Sequence, residues 1–344
     1  MSEVKIADGV NLNNLNVAKS YGNLKLRTAN QRLEDAKSLP NLKNIFSSFV
    51  CEGETTFLFA KSNVGKSVFA VQLAESIATG VPIHEDFANE IGAQKVLYLD
   101  CEMNDKQFQK RYSRAWEDCY EFSDNLFFVT IDYEEVDDVP LDSAVLTRIN
   151  DIVKDTDAKV VVIDNLTYIG SSLEKGDFAS KLMKNLKKHK EKRGLTFIVL
   201  AHTPKIPYGI PIELEHLAGS SKLGQFIDAA FVVGKSAKDE RYRYLKQVKI
   251  RMGEMIYHTG NVPVFELEMM GNDNFLGFRF LETFESEYDH LTAPTQKEVE
   301  DQVSKIMEAR RRGQSFREIA ADLCISKTTV KRIYDKNKDK YESI

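Results

Sequence analysis

The residues best suited to chemistry lie in one short run, Ala60-Lys-Ser-Asn-Val-Gly-Lys-Ser67. Their spacing matches the phosphate-loop consensus G-x-x-x-x-G-K-[ST], except that Ala60 stands at the first glycine position. Backbone N–H groups and a helix N-terminus hold phosphate oxygens in such loops. We therefore expect Lys66 to span the β- and γ-phosphates of a nucleoside triphosphate and Ser67 to bind Mg²⁺. The predicted nucleotide-binding residues are Ala60, Lys61, Ser62, Asn63, Val64, Gly65, Lys66, Ser67 and Val68.

A second oxygen ligand for the metal stands at the end of an apolar run. Residues 159–164 read Lys-Val-Val-Val-Ile-Asp, which predicts a buried strand that ends in Asp164. This is the Walker B pattern, in which the aspartate helps to bind the magnesium ion. The sequence therefore predicts Ser67 and Asp164 as the metal ligands.

Polar side chains also follow two other predicted strands. Asp100 and Glu102 come at and after the end of the strand 95–100, and either could deprotonate an attacking water, because ligands of open parallel sheets bind beyond the carboxyl ends of the strands. His202 and Thr203 follow the apolar run 195–201, where either could hydrogen-bond a γ-phosphate. A lone histidine is more often structural, and the residues alone leave the base open between Asp100 and Glu102.

The elements that must position these residues alternate between strand and helix from Thr55 onward. Continuous apolar strands between helices predict an α/β fold, a mostly parallel sheet with helices on both faces. After residue 228 consecutive strands follow, and we expect them to be antiparallel at one sheet edge. The predicted helices are 29–38, 67–79, 106–119, 143–155 and 178–193, and the predicted strands are 55–60, 95–100, 125–131, 159–164, 195–201, 229–233, 242–251 and 255–258, with 265–267 and 277–280 as further candidates.

The charge of the chain is unevenly distributed. The net charge is −5, yet residues 305–340 carry eleven Lys/Arg and five Asp/Glu, a local balance of +6. This asymmetry predicts a small basic module on an acidic body. The four cysteines have no zinc-site spacing, and no apolar run suggests a signal peptide or a membrane helix, so we expect a cytoplasmic protein.

Taken together, the motifs resemble the RecA/DnaB-like ATPases, and among them the RepA-type ring helicases, over about residues 45–280. That family places its catalytic glutamate just after the second strand, as Glu102 stands in Val-Leu-Tyr-Leu-Asp-Cys-Glu-Met at 96–103. The resemblance implies a RecA-like P-loop NTPase core, ATP and Mg²⁺ as ligands, Glu102 as the base and His202 as a γ-phosphate sensor. It also implies that Lys249 and Arg251 reach the nucleotide of a neighbouring subunit, so we expect a homo-oligomer, a hexameric ring.

The same resemblance implies that two loops, 167–177 and 203–224, line a channel for single-stranded DNA. Their lysines, Lys175, Lys205 and Lys222, could contact phosphates, although ordinary loops would look the same.

The C-terminal segment resembles the helix-turn-helix of resolvases. Residues 314–335 contain Arg-Glu-Ile-Ala at 317–320 and Ile-Ser-Lys-Thr-Thr-Val at 325–330, and Ser315 and Glu318 form a capping-box pattern. The resemblance implies that the second helix enters the major groove of duplex DNA. A helical unit used for protein contacts is the alternative. The predicted DNA contacts are Lys327, Thr328, Thr329, Lys331 and Arg317.

These patterns predict four segments and leave three functions open. We expect an N-terminal arm at 1–44, a RecA-like ATPase domain at 45–281, a linker at 282–295 and a helix-turn-helix DNA-binding unit at 296–344. The first function is an ATP-hydrolysing DNA motor, helicase- or translocase-like, in replication or transfer of DNA, and the second is an ATP-regulated DNA-binding initiator or regulator without unwinding. A small-molecule kinase is third, because it leaves the C-terminal unit unexplained.

Overall fold

The computed structural model describes residues 19–131, 141–166, 176–204, 206, 209–217, 223–291, 296–323, 325 and 327–342. The chain divides into two compact units, residues 1–42 and residues 43–344. None of the described helices combines the length and the apolar character needed to cross a bilayer.

Within its described residues, 19–42, the first unit contains a short hairpin and one helix. Strands β1 (Lys19–Tyr21) and β2 (Leu24–Leu26) pair antiparallel, and helix α1 (Ala29–Lys37) follows. Thr28 begins α1 with a capping box, because its hydroxyl accepts from the Gln31 N–H and the Gln31 side chain accepts from the Thr28 N–H. The helix confirms the element predicted at 29–38.

The second unit is built on one nine-stranded sheet. Its strand order is β15-β14-β13-β12-β5-β11-β10-β6-β9, in which the strands from β12 to β9 are parallel and the other three are antiparallel. The strands of this unit are β3 (Asn44–Phe46), β4 (Val50–Cys51), β5 (Thr55–Ala60), β6 (Val96–Asp100), β7 (Ser113–Arg114), β8 (Asp118–Cys119), β9 (Leu126–Thr130), β10 (Val160–Asp164), β11 (Thr196–His202), β12 (Ala229–Lys235), β13 (Tyr242–Lys249), β14 (Val262–Met270) and β15 (Phe275–Glu285).

Helices cover both faces of this sheet, and three more follow it at the C-terminus. The helices of the unit are α2 (Lys66–Thr79), α3 (Asp105–Arg111), α4 (Leu141–Thr156), α5 (Gly176–Arg193), α6 (Leu223–Phe226), α7 (Glu287–Leu291), α8 (Gln296–Arg311), α9 (Phe316–Asp322) and α10 (Lys327–Glu342).

Apolar residues fill both faces of the parallel strands. In β5, Leu58 and Ala60 pack into the cluster that contains α2, whereas Phe57 and Phe59 pack into the cluster on the opposite face. Since successive side chains of a strand point to opposite faces, a strand buried on both must be apolar throughout. This confirms the α/β fold that the continuous apolar runs predict.

The predicted helix 106–119 is wrong in its second half. Helix α3 ends at Arg111, and the hairpin of β7 and β8 occupies residues 113–119. Phe108 and Tyr112 join Phe122 in a cluster of aromatic rings with centroids 4.7 to 5.5 Å apart. The two contacts with Phe122, which lies beyond the hairpin, favour a chain that turns back at Tyr112, because such aromatic pairs contribute about 0.5–1.5 kcal/mol each.

Two expectations at the antiparallel edge are also wrong. The run 255–258 is not a strand, because the chain goes from β13 directly to β14 in the sheet. Residues 282–291 are not an irregular linker, because β15 extends to Glu285 and α7 follows. Glu287 is fully buried and pairs with Lys246 at 2.6 Å, which fixes α7 against β13. A buried ion pair between distant segments has no local sequence pattern.

The last three helices form a small cluster of their own. Ile306 of α8, Ile319 of α9 and Val330 of α10 are its fully buried core. The Ser315 hydroxyl accepts from the Glu318 N–H and the Glu318 carboxylate accepts from the Ser315 N–H, which is the capping box that the sequence predicts at the start of α9.

Candidate active site

The phosphate-loop sequence lies between β5 and α2, at the carboxyl end of the parallel strands. Ala60 is the last residue of β5 and pairs with His202 and Val233, so it has ordinary strand geometry that needs no glycine. Gly65 has φ of +98°, and a Cβ placed there would lie 3.2 Å from the Phe278 ring. Glycine at this position therefore lets the loop turn directly into α2, whose first N–H groups favour an anion.

Lys66 and Asp164 meet at this edge. Lys66 Nζ lies 3.4 Å from Asp164 Oδ1, and their side chains are 6% and 0% exposed. The Tyr98 hydroxyl donates to Asp164 Oδ2 at 2.8 Å, and burial beside Asp164 raises the Tyr98 pKa well above its usual value, so the phenol stays protonated. Tyr98 thus fixes the orientation of the Asp164 carboxylate.

Glu102 lies in a second cluster beside the first. The Asn165 side-chain amide donates to Glu102 Oε1, and His202 Nε2 lies 3.3 Å from the same oxygen. His202 Nε2 is also 2.8 Å from Asn165 Nδ2, so it accepts from Asn165 or donates to Glu102 according to its tautomer. The bond from His202, with the nearby Lys66 charge, lowers the Glu102 pKa despite burial. Glu102 is therefore a carboxylate at neutral pH.

The rival carboxylate, Asp100, is engaged by its own backbone. Asp100 Oδ1 accepts from the N–H groups of Glu102 and Met103, both at 3.0 Å. Burial raises the Asp100 pKa, and these two bonds oppose that effect. Asp100 shapes the turn after β6, and this turn places Glu102 beside His202.

Two buried polar atoms at the end of β11 lack hydrogen-bond partners within the described part of the chain. They are His202 Nδ1 and Thr203 Oγ1, next to each other in sequence. Because β11 pairs with β5 so that His202 faces Ala60, both atoms lie at the sheet edge that carries the phosphate loop. An unsatisfied buried polar atom is costly, and a ligand is one of its standard explanations.

The side chains at this edge fit a magnesium ion. Asp164 is a fully buried carboxylate, and Lys66 Nζ lies 3.4 Å from it. Ser67 follows Lys66 as the second residue of α2. Carboxylate, hydroxyl and phosphate oxygens are the ligands that Mg²⁺ prefers. When bound, the ion would neutralise charge on the phosphate oxygens, with Ser67 and Asp164 as its protein ligands.

Sequence reasoning missed three residues that shape the site. Asn165 follows Asp164 directly, and a polar residue after the Walker B strand was the available signal. Arg243 is 4% exposed, and its Nε donates to the Val64 carbonyl at 2.6 Å, inside the phosphate loop. Gln72 of α2 exchanges two hydrogen bonds with the Phe278 backbone, at 2.7 and 3.0 Å. The last two contacts join segments over 170 residues apart, so no local pattern predicts them.

Lys249 and Arg251 lie at the other end of the sheet. Lys249 ends β13 and donates to the Gly224 carbonyl at 2.5 Å, whereas Arg251 lies beyond the strand and pairs with Asp228 at 2.9 Å. Asp228 bonds Thr55, the first residue of β5. The phosphate loop follows the last residue of β5, roughly 16 Å away at about 3.3 Å per residue. The predicted strand 242–251 is wrong at its end, because β13 stops at Lys249 and Arg251 lies outside it, and neither cation is near its own chain's loop.

The predicted nucleic-acid contacts fall in several places. Lys175, Lys205 and Lys222 lie outside the described residues, as does the side chain of Thr328. Lys327, Lys331 and Arg317 are exposed on the last two helices. Thr329 is only 4% exposed, and its hydroxyl lies 2.8 Å from the Tyr242 hydroxyl.

This fold and site define an ATPase-type P-loop protein with a RecA-like core. A mostly parallel sheet presents the phosphate loop, the Walker B aspartate and a second acidic residue at one edge. The chain belongs to the AAA domain family, whose model matches residues 23–206, more than half of its length. That match relates it to the RecA/DnaB-type ATPases. No curated protein matches the chain significantly.

Proposed function

We propose that this chain is an ATP-hydrolysing DNA-binding motor that works as a ring of identical subunits. The observation that carries the proposal is the arrangement of Lys66, Asp164 and Glu102 at one sheet edge, with Asn165 and His202 on the Glu102 carboxylate. A carboxylate held beside a phosphate loop is the arrangement that hydrolysis requires. The basic C-terminal helices supply a second, separate DNA-binding element.

These residues would hydrolyse ATP in a single chemical step. Lys66 and the loop N–H groups hold the β- and γ-phosphates, and Glu102 accepts the proton of a water that attacks the γ-phosphorus. The bond from the γ-phosphorus to the bridging oxygen breaks, and ADP leaves with that electron pair. The Thr203 hydroxyl would donate to a γ-phosphate oxygen, and so would His202 Nδ1 in the tautomer whose Nε2 accepts from Asn165, which accounts for two buried atoms without partners in the described residues.

Ring formation rests on Arg251. Its position at the amino end of the strands, far from its own phosphate loop, favours action on a neighbour, and its side chain is 55% exposed. Asp228 would hold the guanidinium in place, since it binds Arg251 and Lys190 together. An arginine supplied in trans stabilises charge on the transferred phosphoryl group.

An ATP-regulated DNA-binding initiator without unwinding activity is the second candidate. The contact between Thr329 and Tyr242 favours it, because a DNA-binding helix that rests on the ATPase domain suits a switch.

The ATPase rate with and without single-stranded DNA, measured beside a sizing experiment, separates these functions. Stimulation of an assembled oligomer supports the motor. An unstimulated rate together with ATP-dependent binding to duplex DNA supports the regulator and contradicts the motor.

A further inference from the structure

The C-terminal helices rest on the ATPase domain through α10. Thr329 Oγ1 lies 2.8 Å from the Tyr242 hydroxyl, and Arg332 forms an ion pair with Asp239. Tyr242 begins β13, and Asp239 lies in the turn before it. Thr329, Tyr242 and the Asp239 side chain are each less than 8% exposed, so these are packed contacts.

The face of α10 that makes these contacts is distinct from the face that holds the three helices together. Val330 is in the core of the helical unit and Ile333 packs against it. With about 3.6 residues per turn, Arg332 lies nearly opposite Val330, on the side away from that core. Thr329 lies one turn before Arg332 and flanks the same side. A helix of this kind presents its outward face to the major groove.

Charge on the two sides of the contact is complementary. A groove of about 1490 Å³ separates the helical unit from the sheet, and Arg317, Lys327 and Lys336 line its helical wall together with Arg332. Asp239, Glu282 and Glu285 line the opposite wall. On that wall Lys238 pairs with Glu285 and Arg279 pairs with Glu266, so Asp239 and Glu282 carry the negative charge that faces the basic wall. DNA phosphates are negatively charged like Asp239, so they could replace Asp239 as the partner of these basic residues.

We propose that the turn from Asp239 to Tyr242 is a binding surface for the DNA-reading face of α10, and that duplex DNA must displace it. The inference rests on the proposed DNA binding of the helical unit. Thr329 is one of the predicted DNA contacts and is buried against Tyr242, and Arg332 on the same side of the helix is held by Asp239, so duplex DNA can reach this face of α10 only when α10 leaves the turn. Docking therefore lowers the apparent DNA affinity by the fraction of molecules in the docked state.

The surface is also next to the phosphate loop. Arg243 follows Tyr242 in β13 and donates to the Val64 carbonyl, so adjacent residues of one strand contact the helical unit and the nucleotide site. If β13 shifts when α10 leaves, Val64 should move with it, because Arg243 bonds the Val64 carbonyl. Strand β13 therefore connects the contact with α10 to the nucleotide site.

The test measures binding of a labelled, mixed-sequence duplex to the full chain by fluorescence anisotropy. Asp239→Asn removes the ion pair but keeps an oxygen for the Arg241 N–H, which bonds Asp239 Oδ1 at 3.0 Å. We expect it to bind duplex about three- to tenfold more tightly than the unmodified chain, as loss of one partly buried ion pair implies. Tyr242→Phe, which removes only the hydroxyl contact, should give a smaller gain.

Glu240→Gln is the matched control, because it removes the same charge from the next, exposed position. It should bind duplex as the unmodified chain does. Equal affinities of the unmodified chain and Asp239→Asn would overturn the docking inference, as would an equal gain with Glu240→Gln. If none of the proteins binds duplex at low salt, the DNA-binding proposal fails, and the inference fails with it.

Hydrogen exchange gives an independent readout. Duplex DNA should speed amide exchange in residues 236–242 of the unmodified chain, because α10 leaves the turn when it binds DNA. Unchanged exchange in these residues at saturating duplex would contradict displacement even where binding is observed.

Discussion

At the scale of single residues, the site separates two neighbouring carboxylates by their environments. Asp100 accepts two backbone N–H groups and serves the turn, whereas Glu102 faces Asn165 and His202. The sequence places both near the end of β6 but carries no information on which way each side chain turns. The residues alone therefore left the base open between Asp100 and Glu102, and the family resemblance favoured Glu102.

Glu102→Gln should slow hydrolysis by roughly 10²–10⁴-fold while ATP still binds, because the amide cannot accept the proton of the attacking water. Single-turnover phosphate release and equilibrium ATP binding measure the two effects. Glu117→Gln, an exposed carboxylate before β8, is the control for loss of charge. Near-normal release by Glu102→Gln would assign the base to Asp100 or another group.

Glu54 should make folding stability depend on pH. Burial, followed by the Asp228 charge, raises the Glu54 pKa from 4.5 to about 7. Because the folded state holds this proton more tightly than the unfolded chain, the stabilisation is complete below 4.5 and is lost as pH rises through about 7. Urea unfolding across this window should give a falling free energy of unfolding for the unmodified chain.

Glu54→Gln should flatten that dependence, whereas Glu52→Gln, two residues earlier, should keep it. The same slope in all three proteins would show that Glu54 does not hold the proton.

At the scale of elements, β13 connects parts of the site that the sequence separates. It begins with Tyr242 against α10, continues with Arg243 at the phosphate loop and ends with Lys249 at the opposite sheet edge. The guanidinium of Arg243 is buried with backbone carbonyls as its hydrogen-bond partners, and within the described residues no carboxylate lies within 4 Å of it. Keeping an unpaired buried cation is costly, which points to a role in holding the loop.

Arg243→Met should weaken ATP binding by roughly tenfold, since it removes a charge-assisted bond to the loop backbone. A positioning role predicts that KM for ATP rises more than kcat falls, with partial rescue in Arg243→Lys. Arg241→Met is the comparison, because Arg241 pairs with Glu266 and does not contact the loop. An unchanged KM in a folded Arg243→Met protein would contradict this role.

Elements whose pattern is local were predictable, and those fixed by distant contacts were not. The buried strands β5, β6, β10 and β11 follow from continuous apolar runs, and the cap of α9 follows from Ser315 and Glu318. The end of α3 depends on ring contacts with Phe122, and α7 depends on the pair of Glu287 with Lys246. Asp164 and Ser67 could be predicted because each belongs to a short motif, while Arg243 acts across 179 residues.

At the scale of the whole molecule, the separation of Arg251 from its own phosphate loop is the strongest argument for an oligomer. Asp228 holds it at the amino end of β5, while the loop follows the carboxyl end. A finger that serves a neighbour needs a heterologous interface, which closes into a ring when the rotation allows it.

Mixing two inactive variants tests this arrangement. Lys66→Ala keeps the finger and Arg251→Ala keeps the loop, so each should hydrolyse ATP poorly alone. In a mixed ring about a quarter of the interfaces would join an intact loop to an intact finger, so activity should reappear. Normal turnover by Arg251→Ala under conditions where assembly is confirmed would contradict action in trans, and so would a mixture no more active than its parts.

The most direct test of the account is phosphate release from ATP with and without Mg²⁺, for the unmodified chain and Lys66→Ala, in the presence and absence of single-stranded DNA. The account predicts release that requires Mg²⁺, rises with single-stranded DNA and is lost in Lys66→Ala. Release that is equal in both proteins, or a properly folded chain that binds ATP and never hydrolyses it, would contradict it.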